Sequence, residues 1–149
     1  MLKLYSTDNK KFLKQVNKSE AELNRFLSEN WKEFFPHFTF IKNEFSLDGN
    51  VRSKGGSGRI DILAYNPKSK KFVIFELKKD ADKNIRHQAS DYRDFIENNF
   101  AEIYLLATQT FDVVLPKFNE ISKDDIELIL IAKSFSATDV DKAKKSKGE

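Results

Sequence analysis

The spacing of apolar residues predicts a helix in the first quarter of the chain. Residues 19–35 have the sequence SEAELNRFLSENWKEFF, in which Leu23 and Leu27 repeat at a helical interval. Ser19 is followed three residues later by a glutamate, which is the pattern of a capping box. Pro36 cannot continue a helix, so the helix is expected to end before it.

Several later segments have the composition of β-strands. They are rich in β-branched and aromatic residues, and the second and third are joined by NPKSK, which has the chemistry of a tight turn. The second and third strands are therefore predicted to form a hairpin. The predicted strands are residues 38–47, 59–65, 71–78, 101–108 and 125–135.

Two further helices are predicted between these strands. Residues 80–99 place apolar side chains on one helical face, and residues 110–121 have a similar pattern that Pro116 disturbs. The resulting order is helix, three strands, helix, strand, helix, strand. This order indicates an α/β protein with a mixed central β-sheet flanked by helices, in which the later strands run parallel through right-handed crossovers.

The distribution of apolar residues predicts one domain over residues 1–149. Its core is expected at about residues 19–135, because residues 1–18 are polar and rich in lysine. Residues 136–149 are charged and poor in apolar side chains, and a flexible basic tail is predicted there.

Composition narrows the class of protein. Hydrophobic residues make up 40% of the 149 residues, which suffices for a folded core, and the net charge of +3 permits a nucleic-acid partner without requiring one. The absence of cysteine excludes disulfides, thiol nucleophiles and thiolate zinc sites. The lack of a signal-like or membrane-length apolar run predicts a cytoplasmic protein with no membrane partner. KGGSGR lacks the Lys-Ser/Thr ending of a phosphate-binding loop, so no nucleotide cofactor is expected.

Charged residues interrupt both strands of the predicted hairpin. Asp61 lies inside the apolar run RIDIL, and Glu76 and Lys78 lie inside FVIFELK. Because side chains alternate between the faces of a strand, Glu76 and Lys78 share one face, and Asp61 lies opposite Ile60 and Ile62 on its own strand. A twisted hairpin allows Asp61 to lie beside Glu76 and Lys78, although spacing alone does not require it.

This set of residue types suits a hard metal ion. Two carboxylates that meet on a sheet repel each other and attract a cation. Asp61, Glu76 and the main-chain carbonyl of Leu77 offer the oxygen ligands that a divalent ion such as Mg2+ prefers. Lys78 would then orient a water molecule or stabilise charge on a phosphate. The alternative is the solvated face of an ordinary hairpin.

Further polar residues fall on helix faces that turn towards the sheet. Glu20 projects near the apolar stripe of its helix, where it needs a partner or an ion, unless it extends to solvent at the edge of the stripe. Gln88 and Tyr92 are four residues apart on the apolar face of the second helix. They can reach the hairpin acids or a phosphate, or they form a satisfied polar pair at the edge of the core. Glu44, on the first strand, is a weaker candidate acid.

Together these residues resemble the motifs of the PD-(D/E)XK nucleases, the restriction-endonuclease-like superfamily. The resemblance covers about residues 19–132 and is nearest to the catalytic domains of archaeal-type branched-DNA and mismatch endonucleases; resolvases and small homing or restriction enzymes are also similar. Arg59-Ile60 stands where the motif has a proline before the first acid. The matching pieces are Glu20 in SEAELNRFL, Asp61 in GRIDILA, Glu76-Leu77-Lys78, and Gln88 to Tyr92 in QASDY.

The resemblance implies a restriction-endonuclease-like core of the order α-β-β-β-α-β. It also implies a deoxyribonuclease, and specifically an endonuclease, that depends on Mg2+ or Mn2+. Asp61, Glu76 and the Leu77 carbonyl are implied to bind the metal, and Lys78 to position the attacking water. Glu20 is implied to assist them, including at a second metal. Gln88 and Tyr92 are implied to orient the site and approach the DNA.

DNA is the expected partner. Basic residues on both sides of the acids are candidates for phosphate contacts, which give affinity but no choice of sequence, although solubility is the better explanation for any one of them taken singly. Since two strands need two active sites, a homodimer or higher homo-oligomer is expected. The basic candidates are Arg52, Lys54, Arg59, Lys79, Lys83 and Arg86.

Two other functions remain open from the sequence. One is a non-catalytic nucleic-acid-binding or regulatory protein that has the same fold. The other is a nuclease or toxin directed at RNA. Binding of Mg2+ or Mn2+ separates the first from an enzyme, and parallel digestion of RNA and DNA separates the second.

Overall fold

The computed structural model of the chain describes residues 2–6, 20–46, 59–78 and 85–132. It contains a five-stranded mixed β-sheet with helices packed on both faces, which confirms the predicted α/β class and the predicted α-β-β-β-α-β order. In chain order the elements are β1 (Leu2–Ser6), α1 (Glu20–Glu29), α2 (Trp31–Phe34), β2 (Thr39–Phe45), β3 (Ile60–Asn66), β4 (Lys71–Lys78), α3 (Ile85–Asn98), α4 (Phe100–Leu105) and β5 (Ser122–Ala132).

The strands lie in the order β1-β5-β4-β3-β2. β2, β3 and β4 form an antiparallel meander, which confirms the predicted hairpin, and β5 runs parallel to β4, as predicted. β1 was not predicted; it lies before residue 19, where the predicted core begins. β1 pairs in parallel with β5 from Leu2 opposite Leu128 to Ser6 opposite Ala132.

Two apolar clusters fill the space between the sheet and its helices. The first, called here the α1-side cluster, joins α1 and α2 to one face of the sheet. The second, the α3-side cluster, joins α3 and α4 to the other face. Fully buried members of the two clusters include Leu27, Ile62, Val73 and Phe75 in the α1-side cluster and Leu63, Phe72, Ile74, Ile96 and Ile103 in the α3-side cluster.

None of the helices in the described ranges is long and apolar enough to cross a membrane.

The first predicted helix is divided into two at Asn30. α1 ends at Glu29 and α2 begins at Trp31. The Asn30 side chain donates a hydrogen bond to the Phe26 carbonyl oxygen at 2.8 Å, and the Asn30 main-chain N–H donates to the same oxygen at 3.1 Å. A short polar side chain that bonds to nearby backbone competes with regular helix, which explains the break.

The predicted strand at residues 101–108 and the predicted helix at residues 110–121 are both wrong. The first segment is helical, formed by α4 and a wider π-helical turn at Leu106–Thr110. Its buried residues, Ile103 and Ala107, are four apart, which is a helical spacing. The second segment is irregular, apart from one short turn of 3-10 helix at Phe118–Glu120, because a proline in its middle lacks the N–H that a helix needs.

A buried carboxylate ties the β3–β4 turn to β5. Glu127 is 5% exposed, and its Oε1 accepts hydrogen bonds from Asn66 Nδ2 at 2.9 Å and from Ser69 Oγ. Glu127 lies opposite Val73 of β4, a member of the α1-side cluster. Glu127 therefore lies on the α1 side of the sheet. Glu76 lies opposite Leu130, three pairs further along the β4–β5 ladder.

Candidate active site

Two carboxylates meet where the pairing of β3 with β4 ends. The last paired residues are Ile62 and Phe75, and the same register continued by one residue puts Asp61 opposite Glu76. Here the side chains replace the backbone ladder. The main-chain N–H of Leu77 donates to Asp61 Oδ2 at 2.8 Å, and the main-chain N–H of Asp61 lies 3.4 Å from Glu76 Oε1. Both acids therefore occupy the same gap between the strands.

Helix α3 supplies a further contact to this pair. The Tyr92 hydroxyl donates a hydrogen bond of 2.7 Å to Glu76 Oε1, and both residues are buried. Burial, and then the nearby Glu76 carboxylate, raise the pKa of the Tyr92 hydroxyl far above its ordinary value. The hydroxyl therefore stays protonated and acts as a donor that orients Glu76. The predicted approach of Tyr92 to DNA stays a prediction.

The structure confirms most of the predicted strand faces around the acids. Glu76 contacts α3 and lies on the same side as Ile74, as predicted. The prediction that Ile60 shares a face with Ile62 is wrong, because Ile60 belongs to the α3-side cluster and Ile62 to the α1-side cluster. Ile60 lies beyond the last β3–β4 pair and is paired with Phe45 of β2, so regular alternation stops at Asp61.

Asn24 contacts the site and was not among the predicted residues. It lies on α1, is 4% exposed, and its Nδ2 donates a hydrogen bond of 2.9 Å to the main-chain carbonyl of Asp61. Its Oδ1 accepts a hydrogen bond of 3.2 Å from Ser28 Oγ. The available sequence signal was weak: one amide inside an amphipathic helix, four residues after the candidate Glu20.

Three predicted site residues are located by their backbone positions alone. Lys78 is the last residue of β4, two after Glu76. Glu20 is the first residue of α1 and Gln88 lies in the first turn of α3. Glu20 precedes Asn24 by four residues, and Gln88 precedes Tyr92 by four, so each pair of positions shares a helical face. The side chains of Glu20, Lys78 and Gln88 lie outside the described part of the structure.

An ion pair lies on the β2 side of the carboxylates. Arg59 Nη2 is 3.8 Å from Glu44 Oε1, and both side chains are about half exposed. The β2–β3 register puts Glu44 opposite Asp61, and Glu44 has a φ of 50°. A non-glycine residue in this left-handed region is uncommon and costs conformational energy. An exposed ion pair contributes little stability, so Arg59 can exchange Glu44 for another anion at small cost.

The other predicted DNA contacts are not located by the structure. Arg86 lies in the first turn of α3, but its side chain is outside the described residues. The remaining candidates, Arg52, Lys54, Lys79 and Lys83, lie wholly outside them.

The chemistry of the described donors fits a magnesium ion. Within residues 2–6, 20–46, 59–78 and 85–132, no group of three or more His, Cys, Asp and Glu side chains is placed to hold a metal. Asp61 and Glu76 nevertheless bring two carboxylates to one gap. Mg2+ commonly uses one or two carboxylates and completes its shell with water and substrate phosphate. Two carboxylates are therefore a sufficient protein contribution for this ion.

Comparison with known proteins finds a shared fold. EndoMS, solved as a complex with double-stranded DNA, superimposes with a TM-score of 0.54 at 19% sequence identity, over 87% of this chain and 41% of the EndoMS chain. An uncharacterized protein of Haemophilus influenzae is 25% identical over 122 residues, which are 82% of this chain and 37% of that protein. No family model matches the chain.

The structural similarity shows the fold, and a function has to be inferred from the residues of the site. The chain has the EndoMS-like α/β fold, and it spans less than half the length of either similar protein. The Asp61–Glu76 gap and the contacts from Asn24 and Tyr92 are features of this chain itself.

Proposed function

We propose that the protein is a Mg2+-dependent deoxyribonuclease that hydrolyses phosphodiester bonds inside a DNA strand. The observation that carries this proposal is the meeting of Asp61 and Glu76 in one gap, where the Leu77 N–H donates to Asp61 and the Asp61 N–H lies against Glu76. Two further observations support it: the PD-(D/E)XK-like order of residues along the chain, and a fold shared with EndoMS, which was solved on double-stranded DNA.

Asp61 and Glu76 are the proposed metal ligands, together with the Leu77 carbonyl. Mn2+ can replace Mg2+ in this role, and Glu20 is proposed to assist from the start of α1. The bound ion would supply a Lewis acid that neutralises charge on the phosphate. Tyr92 holds the Glu76 carboxylate through the hydrogen bond at Oε1, which limits its rotation.

The other proposed roles belong to groups around these ligands. Lys78 is proposed to position the attacking water, since it follows Glu76 by two residues on β4 and positions two apart on a strand share a face. Gln88 orients the site from the Tyr92 face of α3. Arg59 leaves Glu44 to bind a DNA phosphate. Because this contact is electrostatic, the affinity for DNA is expected to fall as the salt concentration rises.

DNA backbone contacts by the other basic residues belong to the same proposal. Duplex DNA presents two antiparallel strands, and a protein with one site per chain cuts both most simply as a symmetric homodimer. The basic residues proposed to contact the DNA backbone are Arg52, Lys54, Lys79, Lys83 and Arg86.

Cleavage assays with Lys78→Ala test the proposal. The wild-type protein is expected to cut plasmid and branched DNA with Mg2+ and to be inactive in excess EDTA. Lys78→Ala is expected to cut at least about 100-fold more slowly, because a group that stabilises charge or orients water in the transition state is worth that much or more. Lys123→Ala is the matched control, since Lys123 is an exposed lysine at the opposite end of the parallel strands.

Equal rates for the wild-type protein and Lys78→Ala would contradict the assignment. RNA digested in parallel under the same conditions distinguishes the substrate: faster cleavage of RNA than DNA would replace the deoxyribonuclease with a ribonuclease. Failure of the wild-type protein to cut either nucleic acid at any Mg2+ or Mn2+ concentration would leave the fold without a catalytic function.

A further inference from the structure

Asn24 is an unusual residue for the place that it occupies. It lies in the middle of α1, next to Leu23 and three residues before Leu27, both of which pack into the α1-side cluster. Asparagine is a poor residue for a helix interior and a costly one to bury. A buried amide in this position therefore requires partners that repay its burial.

The partner of Asn24 is the backbone of a proposed metal ligand. The Asp61 carbonyl oxygen accepts the hydrogen bond from Asn24 Nδ2, just beyond the last β3–β4 pair. The Asp61 N–H lies against Glu76, and the Asp61 carboxylate is bonded to the N–H of Leu77. Three separate polar groups of one residue are thus held by α1 and β4.

We propose that Asn24 is a positioning residue for the catalytic site, which holds the Asp61 main chain so that the Asp61 carboxylate lies beside that of Glu76. This inference rests on the proposed function. The β3–β4 ladder has ended at Asp61, so it does not hold the Asp61 carbonyl on the edge that faces β4, although pairing with β2 continues as far as Ile60. The Asn24 amide replaces the missing ladder contact, and Ser28 fixes the amide by donating to its oxygen.

The same hydrogen bond couples α1 to the site. Glu20 lies one helical turn before Asn24 on the same face, so a shift of α1 along the sheet changes the positions of Glu20 and Asp61 together. Catalysis is sensitive to such shifts, because a displacement of about 1 Å can cost about 100-fold in rate. Asn24 therefore ties the α1 backbone, on which position 20 lies, to the strand that carries Asp61.

Replacement of Asn24 by alanine tests the inference. Asn24→Ala is expected to lower kcat for Mg2+-dependent cleavage about 10- to 100-fold, the usual effect of removing a group that orients a metal ligand. The affinity for DNA is expected to be unchanged. Asn24→Leu, which keeps the buried volume without the donor, is expected to behave alike. Asn30→Ala is the matched control: among the described residues the Asn30 side chain bonds to Phe26, within its own helical region, and cleavage is expected to stay at the wild-type rate.

Hydrogen exchange provides a measurement that needs neither metal nor DNA. The Leu77 N–H is bonded to the Asp61 carboxylate, so loss of the Asn24 contact is expected to speed its exchange about 2- to 10-fold, the effect of weakening one hydrogen bond. The β3 amides between Ile62 and Asn66 are the internal control and are expected to be unchanged.

The outcomes separate this inference from the proposed function. If the wild-type protein cleaves DNA and both Asn24 variants do so at the wild-type rate, the inference is overturned and the proposed function stands. If cleavage falls equally in Asn30→Ala, or Leu77 exchange is unchanged, Asn24 supports the helix alone and the inference is again overturned. If the wild-type protein does not cleave DNA, the proposed function fails, and Leu77 exchange alone decides whether Asn24 holds Asp61.

Discussion

Glu76→Gln is expected to lower Mg2+-dependent DNA cleavage by at least about 100-fold, since a metal ion contributes several kcal/mol of charge stabilisation and each 1.4 kcal/mol is tenfold in rate. The substitution removes the negative charge and keeps the shape of the side chain. Glutamine also retains an oxygen that can accept the hydrogen bond from the Tyr92 hydroxyl. The fold is therefore expected to survive, and the loss measures the carboxylate as a ligand.

Glu127→Gln is the matched control for this experiment. Glu127 and Glu76 are both buried glutamates, 5% and 4% exposed, on the neighbouring strands β5 and β4. Both accept hydrogen bonds from neutral side chains, but Glu127 lies on the α1 side of the sheet and bonds the β3–β4 turn. Glu127→Gln is expected to cleave DNA at the wild-type rate. A similar loss of activity in both variants would show that buried charge at either position supports folding, and would remove the catalytic assignment of Glu76.

Phe75→Ala is expected to lower the free energy of unfolding by about 3–5 kcal/mol, the usual cost of deleting a buried aromatic ring. Phe75 has no exposed surface, and its ring centroid lies 4.9 Å from that of Trp31, 4.8 Å from that of Phe35 and 5.5 Å from that of Phe38. These rings hold α2 and the following turn against β4. The cavity left by alanine would remove the ring contacts of all three neighbours at once.

Urea denaturation followed by tryptophan fluorescence measures this effect, because Trp31 is the single tryptophan of the chain and contacts Phe75. Val114→Ala is the control for an apolar residue outside the core: Val114 is 92% exposed, and a change within about 0.5 kcal/mol is expected. A loss below about 1 kcal/mol in Phe75→Ala would contradict a closed cluster of rings beneath α2.

The hairpin and its acids were predictable because their signal is local. Side chains alternate along a strand, so Glu76 and Phe75 lie on opposite faces of β4, and the turn residues fix where β3 ends and β4 begins. The proximity of Asp61 to Glu76 was left open by the sequence, because it depends on where strand pairing stops. The pairing of β3 with β4 stops at Ile62, and no residue type marks that position.

Other parts of the fold were not predictable for stated physical reasons. The segment at residues 101–108 is apolar enough for a strand, and only burial at helical spacing distinguishes it as helix α4 and the turn that follows. β1 is five residues long in a lysine-rich region, and it becomes a strand by pairing with β5. The hydrogen bond from Asn24 joins residues 37 apart in sequence, so no local pattern contains it.

Anomalous diffraction from crystals grown with Mn2+ tests the central claim most directly, because it locates the ion independently of any assay. The expected result is one strong peak in the gap between β3 and β4. Carboxylate oxygens of both Asp61 and Glu76 are expected at about 2.1 Å from the ion, the length of a magnesium–oxygen bond. Glu76→Gln crystals are expected to lose this peak. A wild-type crystal saturated with Mn2+ that shows no ion shared by Asp61 and Glu76 would contradict the proposed metal site and the nuclease function built on it.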